Sequence, residues 1–282
     1  MTYKVLFSLG LAGLLQSTPV IATQALPNLS SQMTPVLTPL TLNLSAEDYR
    51  WIGQKIYQNE CASQAKYLTH WGKGEDFPSF GIGHFIWFPA NVDSPFEETF
   101  PALVKYLSKT QIAPSWLRQL NPLDSPWNSK KQFDQAWSEA KLSELRNWLL
   151  NTQPQQAEFI VQQFLTRWNK VVISLPIEEI GFYQNRLDRL LQSKKGTFAV
   201  IDYVNFKGMG GNAKEQYQGQ EWGLLSVLKS MEVTPGINAD QRLESFIFTA
   251  KQRLILRTEL APKQRNEQRW LKGWFKRLEG YK

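Results

Sequence analysis

The chain has 282 residues, of which 42% are hydrophobic and 20% charged, with a formal net charge of +7 at pH 7. That apolar fraction can build a core, which excludes a globally disordered chain. Cys61 is the only cysteine, so an intramolecular disulfide is excluded and stability rests on packing.

The first residues read as an export signal. Lys4 supplies a positive charge, Val5 to Leu15 form a short apolar stretch, and Ala22 and Ala25 offer cleavage points. The stretch is too short to span a bilayer. Residues 1–25 are therefore expected to be a signal peptide, and the protein is expected to be exported, periplasmic or secreted. Residues 26–44 carry Pro27, Pro35 and Pro39, several Ser and Thr, and no charge, and they read as an extended linker.

Ordered structure is expected from Ser45. Ser45 with Asp48 forms a capping-box pattern, and Tyr49, Ile52 and Ile56 mark one helical face. Four residues past Ile56 on the same face stands Glu60, an acid pointing inward or toward a cleft. A carboxylate in that setting is costly unless neutral or paired. It reads either as a general acid or as a structural carboxylate that caps amides or pairs with a base.

Tyr67 to Trp71 predicts a strand, Gly72-Lys73-Gly74 a turn, and Ser79 to Trp87 a second strand. Glu75 and Asp76 lie on the loop between them. Glycosidases commonly use one protonated acid and one ionised carboxylate. Glu60 suits the first role, and Glu75, with Asp76 as second choice, suits the second.

The remainder predicts helices. Phe100, Leu103 and Leu107 fit one stripe; Phe133, Ala136 and Ala140 another; then Leu142, Leu145 and Leu149. Ala157, Ile160, Phe164 and Trp168 follow, then Leu187, Leu190 and Leu191. Thr197 to Phe206 is an apolar run, and Gly208-Met209-Gly210-Gly211 is a loop. Trp222 to Met231 and a long helix capped by Asn238 complete the pattern.

Several chemistries find no support. His70 and His84, without a carboxylate cluster, argue against a zinc site. Ser79 lacks the Gly-x-Ser-x-Gly turn of a Ser-His-Asp hydrolase. No Gly-Lys-Ser/Thr follows the glycine loop, so it is no phosphate loop. No cofactor is expected. Cys61 reads as a small buried residue.

A helix ending in Glu60, a short hairpin, and Ser79-Phe80-Gly81-Ile82-Gly83-His84 resembles the start of phage-type lysozymes. Val200 to Gly208 and Trp222-Gly223-Leu224-Leu225 are similar to segments of the helical lobe in that superfamily, and the segments around Arg253–Glu259 and Arg265–Arg269 resemble its closing basic helix. The resemblance implies an α+β, mostly α, lysozyme-like domain over residues 45–282, with a small β lobe and a larger helical lobe around a cleft. It implies cleavage of peptidoglycan or a related amino-sugar polymer, with Glu60 as catalytic acid and Ser79 placing the attacking water. It gives His84 a structural role, tying the hairpin to the helical lobe. Lys73 stands at the family's Asp offset, and Glu75 lies nearer to Ser79. Goose-type lysozymes and lytic transglycosylases, which share the fold, work around one essential Glu. The alternative is a non-catalytic envelope protein on this fold that binds glycan or a protein partner.

Charge is uneven. Residues 251–282 hold ten Lys/Arg against three acids, which accounts for the net charge of the whole chain. This segment reads as a solvated helical face or as an attachment to an anionic envelope surface. Nucleic acid is not expected as a partner.

Overall fold

The computed structural model describes residues 38–94, 96–212, 215–232 and 234–282. The expected signal peptide and the first part of the expected linker lie outside these residues. Pro39–Lys282 form one compact unit, mostly helical with small antiparallel sheets. Leu40 exchanges two hydrogen bonds with the Asn169 side chain, so the chain is anchored before its first helix begins.

α1 (Ala46–Cys61) starts at the expected capping box, in which the Ser45 hydroxyl accepts from the Asp48 amide while the Asp48 side chain accepts from the Ser45 amide. Its buried face carries Ile52, Gly53, Ile56 and Cys61. That face packs on α6 (Gln153–Val172). Gly53 sets the approach, because a Cβ there would lie 3.0 Å from the Gln153 carbonyl oxygen.

After one turn of 3-10 helix at Ala65–Leu68 comes a sheet of three two-residue strands: β1 (Thr69–His70), β2 (Ser79–Phe80) and β3 (Phe85–Ile86). The strand expected over Ser79 to Trp87 is instead a tight hairpin. Gly81 at φ +73° and His84 at φ +49° turn the chain, and the His84 amide donates to the Gly81 carbonyl. The strand expected over Tyr67 to Trp71 shrinks to β1, because its first half is drawn into the 3-10 turn.

The register places Thr69, Phe80 and Phe85 opposite one another, and His70, Ser79 and Ile86 likewise. Directly opposed residues share a face. The Phe80 face builds a core with Trp87, Phe100, Trp127 and Phe133; Trp87 and Phe100 lie 4.7 Å apart. Six of the eleven tryptophans are buried (Trp71, Trp87, Trp127, Trp148, Trp168 and Trp222), so more than half of them serve packing.

The helical body continues with α2 (Phe100–Leu107), α3 (Ser115–Arg118), α4 (Lys130–Gln135), α5 (Ala140–Asn151) and α6, then α7 (Ile177–Leu191) and α8 (Lys194–Lys207). A hairpin of β4 (Gln216–Tyr217) and β5 (Gln220–Glu221) precedes α9 (Leu224–Ser230), α10 (Ala239–Leu260) and α11 (Leu271–Glu279). α8 is buried continuously from Gly196 to Val204, which makes it an internal helix. The stripes expected at Phe100, Leu142 and Ala157 face the core, as does Leu243 in the helix capped by Asn238. Ala140 does not, because a 3-10 turn at Ala136–Ser138 breaks the helical phase before α5 starts.

Candidate active site

Glu60 occupies the last turn of α1, with its side chain 17% exposed. Two donors meet its Oε1: Arg277 Nη2 from α11 at 2.7 Å and Asn205 Nδ2 from α8 at 3.3 Å. Three elements distant in sequence thus converge on one carboxylate.

Arg277 also grips Asp202, a fully buried residue of α8. Its Nε donates to Oδ2 at 2.7 Å and its Nη2 to Oδ1 at 2.8 Å. Tyr281 donates its hydroxyl to Asp202 Oδ2 at 2.6 Å, and Asn59 donates to Oδ1. Burial works against the Arg277 charge, but Asp202 and Glu60 outweigh it and hold the guanidinium protonated well above its ordinary range. Burial and the adjacent Asp202 push the Tyr281 phenol up as well. Planar, bidentate recognition of this kind suits arginine and not lysine.

The small sheet meets this centre through its histidines. His70 of β1 stacks on His84 with ring centroids 6.0 Å apart, and His84 Nε2 lies 3.9 Å from Cys61 Sγ beside Glu60. Burial lowers the His84 imidazole's affinity for a proton, and the charges of both Glu60 and Glu75 work in the opposite direction. His84 therefore sits within electrostatic reach of both acids. Ser79 shares the His70 face of the sheet and is 8% exposed.

Glu75 is an exposed loop residue whose Oε2 accepts from the Gly72 amide at 2.9 Å, while its carbonyl accepts from the Trp71 indole. Asp76 is exposed on the same loop. The hairpin itself is clamped to the helices. The Gln156 side chain, fully buried in α6, accepts from the Ile82 amide and donates to the Leu149 carbonyl and the Thr152 hydroxyl. Arg146 of α5 donates to the Thr69 hydroxyl.

A row of basic side chains and rings extends from Glu60 along α11. Arg277 lies over Phe206, Lys207 over Phe206 and Trp274, and Arg257 over Trp274 and Trp222. The far end closes on Glu267, fully buried and held by Arg257, Arg265 and the Tyr217 hydroxyl. Lys207 is 9% exposed, with its Nζ 3.5 Å from the Trp274 ring centre, and burial lowers its pKa to about 6.

Sequence reasoning named Glu60, Glu75 and Ser79 as candidates and did not name Arg277, Asp202, Asn205 or Tyr281 among them. Among the described residues no side-chain hydrogen bond joins Glu75 or Ser79 to Glu60. The one available signal was Asp202 inside the apolar run Thr197 to Phe206, since a carboxylate there demands a buried partner. The basic C-terminal segment also divides. Arg257 and Arg277 point into the protein, while Lys263, Arg269, Lys272 and Lys276 are exposed. Among the described residues no group of three His, Cys, Asp or Glu could hold a metal ion, and no helix is long and apolar enough to cross a membrane. No model of a known protein family matches the sequence, and no curated protein matches it.

Proposed function

We propose that the chain is an exported, lysozyme-like glycosidase of the muramidase or lytic transglycosylase type, acting on peptidoglycan or a related amino-sugar polymer. The observation that carries this reading is the setting of Glu60: a partly exposed carboxylate at a helix end, oriented by Arg277 and Asn205 on one oxygen, beside a hairpin carrying Ser79. Fixed donors on one oxygen position the group, and cleavage of a glycosidic bond uses a positioned carboxyl of this kind.

In this mechanism Glu60 protonates the leaving glycosidic oxygen. Glu75, with Asp76 as second choice, steadies the oxocarbenium-like transition state or activates water, and Ser79 holds that water. If neither loop acid contributes, the substrate's own hydroxyl or acetamido group completes the displacement. The exposed cations of residues 251–282 attach the enzyme to an anionic envelope surface.

The pairing of Glu60 with a buried guanidinium favours a second reading, in which Glu60 is a structural ion-pair partner and the protein binds glycan or a partner protein without cleaving. Incubation with purified peptidoglycan separates the two. Cleavage predicts released muropeptides, abolished by Glu60→Gln with the fold intact. Product mass then distinguishes hydrolysis from internal cyclisation to an anhydro-sugar. Unchanged release by Glu60→Gln, or none from the wild type, sinks the catalytic reading.

A further inference from the structure

A cavity of about 320 Å³ opens on α1, lined by Trp51, Gln54, Lys55, Tyr57, Gln58 and Ser63. It is separate from the Glu60 centre. Trp51, Gln54, Lys55 and Gln58 follow the spacing of one helical face, whereas Ile52, Ile56 and Glu60 step along another. Its size reaches the lower end of small-ligand sites.

The lining has a consistent chemistry. Trp51 makes an edge contact with Phe198 at 5.4 Å, so the indole packs against α8 while lining the cavity. Gln54, Gln58 and Ser63 present two amides and a hydroxyl, and no side-chain hydrogen bond engages them among the described residues. Lys55 and Lys194 both lie near the indole, 5.8 and 5.0 Å from its centre. Lys194 is neutralised by Asp48 at 3.0 Å, whereas Lys55 is in no ion pair among the described residues.

The backbone at the rim is strained. Ala62 and Ser63 both hold left-handed conformations, at φ 47° and 54°, though neither is glycine. Such residues cost about 1–3 kcal/mol each and persist where the surrounding structure enforces them. Here both amides donate to the Tyr57 carbonyl, which folds Ser63 back to the cavity edge.

We propose that this cavity is a second glycan site, taking one carboxylate-bearing pyranose unit, with its apolar side on the aromatic lining, its hydroxyls on Gln54, Gln58 and Ser63, and its carboxylate on Lys55. A ring face suits the apolar side of a sugar. Free amides suit its hydroxyls, and an uncommitted ammonium selects an acidic sugar over a neutral one. The site stands apart from cleavage at Glu60 and takes a sugar unit whose carboxylate is free of any amide-linked peptide.

The test uses the full chain carrying Glu60→Gln, so that nothing is turned over. The probes are the N-acetylglucosaminyl-N-acetylmuramic acid disaccharide and neutral diacetylchitobiose. The readout is the indole N–H resonance of Trp51, assigned by its absence in Trp51→Phe. The acidic disaccharide should shift this resonance. Lys55→Gln should weaken the acidic sugar about tenfold and leave the neutral one unchanged. Gln54→Ala with Gln58→Ala should weaken both, and these exposed positions leave the core untouched. No shift at about 10 mM sugar, a limit below which binding is negligible, overturns the site. So does an affinity indifferent to all three changes. Equal affinity for both sugars overturns the carboxylate assignment. Because binding is read at Trp51 in a chain that cannot cut, failure here is distinct from failure of the cleavage reading.

Discussion

Arg277 Nη2 donates to Glu60 Oε1 at 2.7 Å and to Asp202 Oδ1 at 2.8 Å, so one guanidinium joins the end of α1 to the middle of α8. With Asp202 fully buried, Arg277→Met leaves an uncompensated interior charge. Its expected cost is about 3–5 kcal/mol, read from urea unfolding. Asp202→Asn in the same chain should recover part of that loss, because it removes the stranded charge. A double variant as unstable as the sum of the singles would show that the two groups are not coupled.

Lys207 should make stability depend on pH in a definite direction. Its folded pKa is lowered by burial to about 6 from 10.5. Between those values the unfolded chain holds a proton that the folded chain does not. Stability is therefore full above the ordinary lysine range and falls as pH drops toward the folded value, by about 1 kcal/mol per pH unit within the window. Lys207→Met removes this penalty. Its advantage over the wild type should be absent near about pH 10 and grow toward about pH 6 in urea melts. A constant difference across that range would contradict the assignment.

Gly81→Ala tests the clamp on the hairpin. The position has φ +73°, and a Cβ there would sit 2.4 Å from Gln156 Oε1, the acceptor for the Ile82 amide. Strain and a displaced buried hydrogen bond together should cost about 2–4 kcal/mol. Amide exchange at Ile82 should accelerate more than exchange in α10, which lies elsewhere in the fold. Equal acceleration everywhere would mean that the clamp is not local.

Cys61 should be chemically silent in the folded protein. It is fully buried, and burial, with Glu60 beside it, pushes its thiol up to about 12. The thiolate is the reactive form. A thiol reagent at neutral pH should therefore label Cys61 only as fast as the chain opens, and rising urea should accelerate it. Rapid labelling without denaturant would overturn this.

The helices were legible because their apolar stripes recur at helical spacing. Ser45 with Asp48 and Asn238 with Gln241 set two helix starts by local hydrogen bonds that need no tertiary partner. α11 and the β4–β5 hairpin were not legible. Both are short, and the Tyr217 and Arg253 contacts that hold the hairpin come from residues 32 or more positions away.

The sequence by itself determined that Glu60 ends a capped helix on its inward face, since helical phase is a local property. Only the tertiary structure decided what Glu60 touches. Arg277 lies 217 positions away and Asn205 lies 145 away, so no local pattern could pair them. It also decided which cations of the basic C-terminal segment are committed inside the fold. A charge count is blind to that difference, because it depends on which side chains lose water when α11 packs onto α8 and α10.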